Sequence, residues 1–117
     1  MISKHFSKKE LACKCGCGQL IVNTELVGVL EFIRARFMRP VYVHSGNRCK
    51  KHNAAVGGAA NSQHLYGTAA DISVKDMDID SIARAAEQAG ADGIGIYRKQ
   101  GFVHVDCRQG GPARWEE

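Results

Sequence analysis

The feature that most constrains the fold is a pair of short apolar runs separated by a polar turn near the end of the chain. The runs are GIGIY (93–97) and FVHVD (102–106), and the residues between them read RKQG. Two such runs joined by a short Gly-containing turn predict an antiparallel hairpin. Alternation along the second run then places Phe102, His104 and Asp106 on one face and the two valines on the other.

Further strands and helices are predicted around this hairpin. VYVH (41–44) and residues 69–74 read as buried strands, because both are rich in β-branched or small apolar residues. Capping signals and helical apolar spacing predict four helical segments: 7–12, Asn23 or Thr24 to about Met38, 50–56, and Asp78 or Asp80 to Gln88. This order predicts an α+β fold with a small central antiparallel sheet flanked by helices. The 117 residues predict a single domain over 1–117.

Charge and hydropathy exclude several classes of protein. The net charge of +4 favours a polyanionic partner, but the basic residues are scattered and no nucleic-acid motif is present, so nucleic acid is not predicted as a partner. No apolar run is long enough to span a bilayer. The start of the sequence lacks a secretory signal, so we expect synthesis in the cytoplasm and release by another system if the protein acts outside it. Nothing demands more than a monomer.

The five cysteines are Cys13, Cys15, Cys17, Cys49 and Cys107. An odd number without a signal peptide argues against a secreted disulfide framework. The C-x-C-x-C spacing of the first three lacks the paired C-x-x-C of common zinc folds. We therefore expect reduced or opportunistically paired thiols rather than a structural metal at these three cysteines. A metal shared with Cys49 is the alternative.

Three polar stretches at the ends of predicted strands can carry chemistry: SGNR (45–48), SQHLYGTAAD (62–71) and the run that contains His104. Taken singly, a loop histidine, an exposed aspartate and a core histidine are ordinary structural residues. Taken together, His64, Asp71 and His104 make a sensible zinc ligand set, because two imidazoles and one carboxylate leave a fourth position for water.

Two further charged residues stand beside this candidate ligand set. Asp106 faces the same side of its strand as His104 and can orient that ligand or accept a proton. Arg48 follows a strand directly, and its planar fork of donors suits a substrate carboxylate or a developing oxyanion. Alone, Arg48 would read as a surface arginine on a turn.

Together these stretches resemble the zinc D-alanyl-D-alanine metallopeptidases of bacterial cell walls and phage lysins, which share a fold with lysostaphin-type peptidases and the hedgehog domain. The family signature S-x-H-x-x-G-x-A-x-D is filled here by Ser62, His64, Gly67, Ala69 and Asp71. The S-G-x-R element and the late-strand histidine of that family are also matched. The resemblance extends from about residue 6 to residue 108 and is closest to the compact single-domain branch.

The resemblance implies a hedgehog/DD-peptidase-like fold and one catalytic zinc ion bound by His64, Asp71 and His104. It implies that Arg48 contacts the substrate carboxylate or polarised carbonyl, and that Ser62 borders the substrate. The activity expected is hydrolysis of peptidoglycan bonds that involve D-amino acids, by a carboxypeptidase or an endopeptidase, as in a phage or prophage lysin. The partners expected are peptidoglycan peptides.

The general base is where this chain departs from the family. Many relatives carry a Glu three residues before the third ligand, where this chain has Gly101, and others carry a His two residues before it, where this chain has Phe102. Asp106 is therefore predicted as the base. The departure keeps an alternative open, in which the protein is a catalytically inactive zinc-stabilised module that binds the cell wall or forms part of a phage particle.

Overall fold

Residues 2–117, which the computed structural model describes, build one five-stranded sheet with helices packed against it. The strands are β1 (Val41–Ser45), β2 (Ala69–Val74), β3 (Gly93–Tyr97), β4 (Phe102–Asp106) and β5 (Ala113–Glu116), in the spatial order β1-β2-β4-β3-β5. Neighbouring strands are antiparallel except for β3 and β5, which are parallel. The predicted α+β class and the hairpin of β3 and β4 are confirmed.

The helices include three that begin at capping residues indicated by the sequence and one whose cap, Cys49, was not predicted. They are α1 (Lys8–Leu11), α2 (Thr24–Phe37), α3 (Lys50–Ala55) and α4 (Ile79–Gln88), with one 3₁₀ turn at Gln63–Tyr66. Ser7 and Glu10 form the reciprocal capping box of α1, and Asn23 and Asp78 cap α2 and α4 through their side chains. Within residues 2–117, no helix combines the length and apolarity needed to cross a membrane.

The two faces of the sheet have different environments. Helices α2 and α4 pack against one face, where Val103 and Val105 of β4 join Ile72 of β2 in the apolar core. Because side chains alternate along a strand, Asp71 and His104 lie on the opposite face. The alternation predicted for FVHVD is therefore observed, and the polar candidates share the face that is not covered by α2 and α4.

Strand β5 and the 3₁₀ turn were not predicted from the sequence. Strand β5 reads ARWE and is only partly buried, so it carries little apolar signal. It is held instead by backbone pairing with β3, including hydrogen bonds from the Ala113 N–H to the Asp92 carbonyl and from the Glu117 N–H to the Ile96 carbonyl. The sheet is consequently mixed rather than wholly antiparallel.

Gly67 makes the sharp connection between the 3₁₀ turn and β2. Its φ of +72° lies in the left-handed region, and a Cβ at this position would collide with the backbone carbonyl of Ile21. The Asn23 N–H also donates to the Gly67 carbonyl at 3.0 Å. Only glycine fits both the left-handed φ and the lack of space for a Cβ atom. It allows the chain to turn sharply between His64 and β2.

Candidate metal centre

Three side chains from two strands and one turn converge on the open face of the sheet. Asp71 of β2 and His104 of β4 are direct partners in the antiparallel ladder, and His64 comes from the 3₁₀ turn just before β2. One potential ligand atom from each lies within 4.8 Å of the others, and all three residues are buried. The structure thus brings together the three residues that the sequence predicted as metal ligands.

His64 is held so that its Nε2 atom faces Asp71. Its Nδ1 atom lies 2.8 Å from the Gly46 carbonyl oxygen, and its Nε2 atom lies 3.2 Å from Asp71 Oδ1. A carbonyl oxygen can only accept, so Nδ1 must carry the proton that is donated to Gly46. In the neutral ring, Nε2 therefore presents a lone pair to the carboxylate.

His104 is held in the same way with its two nitrogens exchanged. Its Nε2 atom lies 2.7 Å from Asp106 Oδ2, and its Nδ1 atom lies 3.0 Å from Asp71 Oδ1. The carboxylate of Asp106 accepts a hydrogen bond from the Nε2–H group, which leaves Nδ1 with a lone pair in the neutral ring. The imidazoles of His64 and His104 meet edge to face, with 5.1 Å between their centroids.

Three acceptors consequently meet around Asp71 Oδ1. Two imidazole lone pairs and a carboxylate oxygen repel one another unless a proton or a cation lies between them. A zinc ion binds imidazole nitrogen and carboxylate oxygen, and metal-binding histidines usually donate their second N–H to a carboxylate or a backbone carbonyl. Asp106 and Gly46 supply those two acceptors. The residues present therefore fit a divalent cation with the ligand preferences of zinc.

The charged groups of the site reinforce one another electrostatically. Burial by itself would raise the pKa of Asp71, but hydrogen bonds with His104 and His64 outweigh it and lower that pKa well below its usual range. Burial would likewise lower the pKa of His104, but the carboxylates of Asp106 and Asp71 outweigh it and raise that pKa. Asp71 is thus kept ionised, which is the form that binds a metal.

Arg48 lies at the edge of this site, as the sequence predicted for a residue that meets substrate. One of its terminal nitrogens lies 3.3 Å from Asp71 Oδ2, while Nε donates to Ser45 Oγ at 3.0 Å. The other terminal nitrogen is 3.3 Å from Asn53 Oδ1. These three contacts fix the guanidinium, so that it can offer donors to an anionic group in a defined direction.

Asp106 lies behind His104 and away from the open cleft. Its side chain is 0% exposed, and Oδ2 also accepts a hydrogen bond from an Arg108 terminal nitrogen at 2.7 Å. Burial would raise the pKa of Asp106, but the contacts with His104 and Arg108 outweigh it and lower that pKa. Of the two roles that the sequence left open, this geometry favours orientation of His104. Its predicted role as the general base stays a prediction.

Ser62 and Asn47 support the backbone that carries His64. Ser62 caps the 3₁₀ turn, because its hydroxyl accepts from the His64 N–H at 3.2 Å, and it also lines the cleft. Asn47, which was not predicted as a site residue, is 2% exposed and donates to the His64 carbonyl at 3.0 Å. Its position beside Arg48 in SGNR was the available signal.

The candidate ligands open onto a cleft of about 610 Å³. One wall is aromatic and was not predicted: Tyr97, Phe102 and Trp115 line it. The ring centroids of Trp115 and His104 are 5.1 Å apart, and the indole N–H of Trp115 donates to the Tyr97 hydroxyl at 3.0 Å. Glu117 is a further carboxylate that lines this cleft.

Gly95 makes the aromatic wall possible. It pairs with His104 on one side and with Trp115 on the other. A Cβ on Gly95 would overlap the indole of Trp115. The missing side chain therefore lets the indole lie against the sheet beside His104.

Comparison with protein families gives one clear match. The family model described as peptidase M15 matches residues 4–106 of this chain. The matched segment contains all three candidate ligands together with Arg48 and Asp106.

Two curated relatives have similar sequences. The peptidoglycan L,D-endopeptidase MepK of Escherichia coli K12 is 35% identical over 81 residues, which are 65% of this chain and 43% of the relative. The zinc D-Ala-D-Ala carboxypeptidase of Streptomyces albus G is 40% identical over 52 residues, which are 44% of this chain and 20% of the relative. Less than half the length of either relative is therefore matched.

A solved structure shares the fold. The L-Ala D-Glu endopeptidase ChiX of Serratia marcescens superimposes with a TM-score of 0.50 at 19% sequence identity, covering 74% of this chain and 80% of that one. At this identity the likeness concerns the fold alone.

Proposed function

The chain belongs to the peptidase M15 family, and on that premise we propose that it is a zinc-dependent peptidase that hydrolyses bonds involving D-amino acids in bacterial peptidoglycan. The observation that carries the proposal is the meeting of the His64 and His104 lone pairs at Asp71 Oδ1. Such an arrangement is costly unless a proton or a cation lies between the three acceptors, and the residue types suit a metal centre.

Each residue of the site has a defined task in this proposal. A zinc ion held by His64, Asp71 and His104 would supply Lewis acidity, which polarises a carbonyl and lowers the pKa of water. Arg48 directs its guanidinium to the carboxylate or the developing oxyanion of the substrate. Asp106 holds the ring of His104 in its ligand orientation.

The cleft suits an anionic peptide. Two arginines, Arg48 and Arg108, line it together with the aromatic wall of Tyr97, Phe102 and Trp115. Carboxylate-bearing stem peptides of peptidoglycan offer groups that a guanidinium binds well. The relatives include both a carboxypeptidase and endopeptidases by name, and both modes of cleavage are compatible with this proposal.

The setting of the activity is part of the proposal. We place the protein among phage or prophage lysins that act as monomers on the cell wall. The net charge of +4 would assist the approach to an anionic envelope.

The test is incubation of the purified protein with defined muropeptides, with and without a chelator, followed by mass spectrometry. We expect cleavage that stops on chelation and returns with zinc, and the product masses identify the bond. If no muropeptide is cleaved in a chelator-sensitive manner, the proposed zinc-dependent peptidase activity is refuted. Zinc retention and wall binding without turnover would instead support the inactive binding module. That alternative is favoured by Gly101, which stands where many members of the family carry Glu. A phage structural role predicts that no zinc is bound by His64, Asp71 and His104, so that His104→Ala would leave the zinc content and the melting temperature unchanged.

A further inference from the structure

Four cysteines from two distant parts of the chain meet at one point outside the cleft. They are Cys13, Cys15, Cys17 and Cys49, and their sulfur atoms all lie within 4.8 Å of one another. The sequence favoured reduced or opportunistically paired thiols, with a metal shared with Cys49 as the alternative. The structure assembles the full ligand set that this alternative requires.

The separations of the sulfur atoms suit a metal better than a disulfide. Cys13 Sγ lies 3.5 Å from Cys15 Sγ, and Cys15 Sγ lies 3.7 Å from Cys49 Sγ. A disulfide brings two sulfur atoms to about 2.05 Å, whereas four sulfurs at about 2.3 Å from a tetrahedral zinc ion are separated by about 3.8 Å. These two separations are close to the sulfur–sulfur distance of that tetrahedron.

The glycines of CKCGCG shape the loop that carries three of these cysteines. Gly16 and Gly18 have φ values of +89° and +82°, and a Cβ at either would meet nothing within 4 Å. Their requirement is therefore conformational rather than steric. The two left-handed residues coil the loop tightly, so that sulfur atoms only two residues apart approach one centre.

Backbone N–H groups already point at the sulfur atoms. The Gln19 N–H donates to Cys17 Sγ at 3.4 Å, the Cys49 N–H to Cys13 Sγ at 3.4 Å, and the His52 N–H to Cys49 Sγ at 3.3 Å. Donors of this kind stabilise the negative charge of thiolates, which are the form that binds metals.

We propose that these four thiolates bind a structural zinc ion, separate from the metal centre of the cleft. Tetrahedral sets of four sulfur ligands are typical of structural zinc, and the full set leaves no position for water or substrate. The inference stands on the geometry of the cysteine cluster and does not depend on the proposed peptidase activity.

The zinc ion would fasten the N-terminal segment to the loop that carries Arg48. Cys49 follows Arg48 directly and caps α3, while Cys13 follows α1. The contact between these segments is already close, because the Asn47 N–H donates to the Leu11 carbonyl at 2.9 Å. Loss of the ion would release the loop 13–18 and loosen the support of Arg48.

The first test is the zinc content of the purified, reduced protein, measured by mass spectrometry of the metal. We expect about two zinc ions per chain, one fewer in Cys17→Ser and one fewer in His104→Ala. Cys107→Ser is the matched control, because Cys107 lies outside the cluster, and it should keep both ions. Cys17 is exposed, so its replacement disturbs the packing less than replacement of the buried Cys13 would.

The second test needs no cysteine substitution. X-ray absorption at the zinc edge of His104→Ala should show four sulfur neighbours at about 2.3 Å. A nitrogen and oxygen shell, or a wild-type protein whose single zinc ion is lost in His104→Ala, would overturn the proposal. A single zinc ion that is lost in Cys17→Ser and retained in His104→Ala would support the cysteine site and refute the zinc centre of the cleft, so the two proposals fail separately.

Discussion

Asp71 and His104 lie directly opposite each other on β2 and β4, and His104 Nδ1 is 3.0 Å from Asp71 Oδ1. Directly paired residues of an antiparallel ladder project their side chains from the same face of the sheet. A slip of one residue would move one of them to the core face. The separation of these two candidate ligands is therefore set by the register of the sheet. The third candidate ligand, His64, comes from the 3₁₀ turn that precedes β2.

The first prediction concerns the carboxylate on which both histidines converge. Asp71→Asn should remove about one zinc ion per chain and lower hydrolysis more than about a hundredfold, because even changes to groups behind metal ligands cost ten- to a hundredfold. Zinc content and muropeptide turnover measure the two effects. Ser73→Ala is the matched control on the same strand, since Ser73 contacts His44 rather than the metal centre. Unchanged zinc content in Asp71→Asn would contradict the assignment.

The second prediction separates the two roles of Asp106. If it orients His104, Asp106→Asn should weaken zinc affinity by about ten- to a hundredfold, and excess zinc should restore hydrolysis with an unaltered pH profile. If it is the general base, zinc should bind normally while hydrolysis is lost at every zinc concentration. We expect the first result, measured by zinc titration and by the pH dependence of kcat/KM.

Two variants serve as comparisons for Asp106→Asn. Asp92→Asn changes a nearby carboxylate that lies outside the cleft, and it should leave zinc affinity and turnover unchanged. Among residues 2–117, Asp71 and Glu117 are the two carboxylate side chains that line the cleft, and Glu117→Gln changes the second of them. Proton transfer would be assigned to Glu117 if Glu117→Gln lowers turnover at full zinc content. The pH profile of the residual activity should then also lose the acidic limb that reports a general base.

The third prediction concerns the shape of the Arg48 side chain. Arg48→Lys keeps the charge but loses the fork that contacts Ser45, Asn53 and Asp71 together. We expect kcat/KM to fall about a hundredfold, as when one oxyanion donor is removed, with zinc content unchanged. Arg39→Lys, at an exposed ion pair with Asp76, should have no effect. Full activity in Arg48→Lys would exclude a directional role.

The fourth prediction is the pH dependence that Glu31 gives to stability. Burial would raise the pKa of Glu31, but hydrogen bonds from Ser3 and His5 outweigh it and lower that pKa. Since the pKa is lower in the folded state, the contribution is present above the unfolded pKa of about 4.3 and is lost as pH falls through the folded value. Glu31→Gln should therefore cost about 1 kcal/mol at pH 7 and much less at strongly acidic pH.

Denaturant unfolding at both pH values measures this difference. Glu25→Gln, an exposed carboxylate on the same helix, should show a smaller effect. An equal loss of stability for Glu31→Gln at neutral and strongly acidic pH would show that the carboxylate charge is not responsible.

The sequence by itself determined the local features of this protein. The caps at Ser7, Asn23 and Asp78, the alternation of FVHVD and the glycine before β2 all follow from interactions within a few residues. Such interactions depend on the order of side chains along the chain and on little else. The three candidate ligands were also predicted from the sequence, because imidazole and carboxylate are groups that zinc binds. Their role as ligands stays a prediction.

Only the tertiary structure decided which distant groups face one another. It brought Arg48 to Asp71, laid Trp115 over Gly95 from an edge strand with little apolar signal, and joined Cys49 to a loop more than thirty residues earlier. These relations depend on sheet register and on how loops pack across it, and no local pattern encodes either. The residue types of the candidate site were readable from the sequence, whereas the packing of the sheet decided which of these residues contact one another.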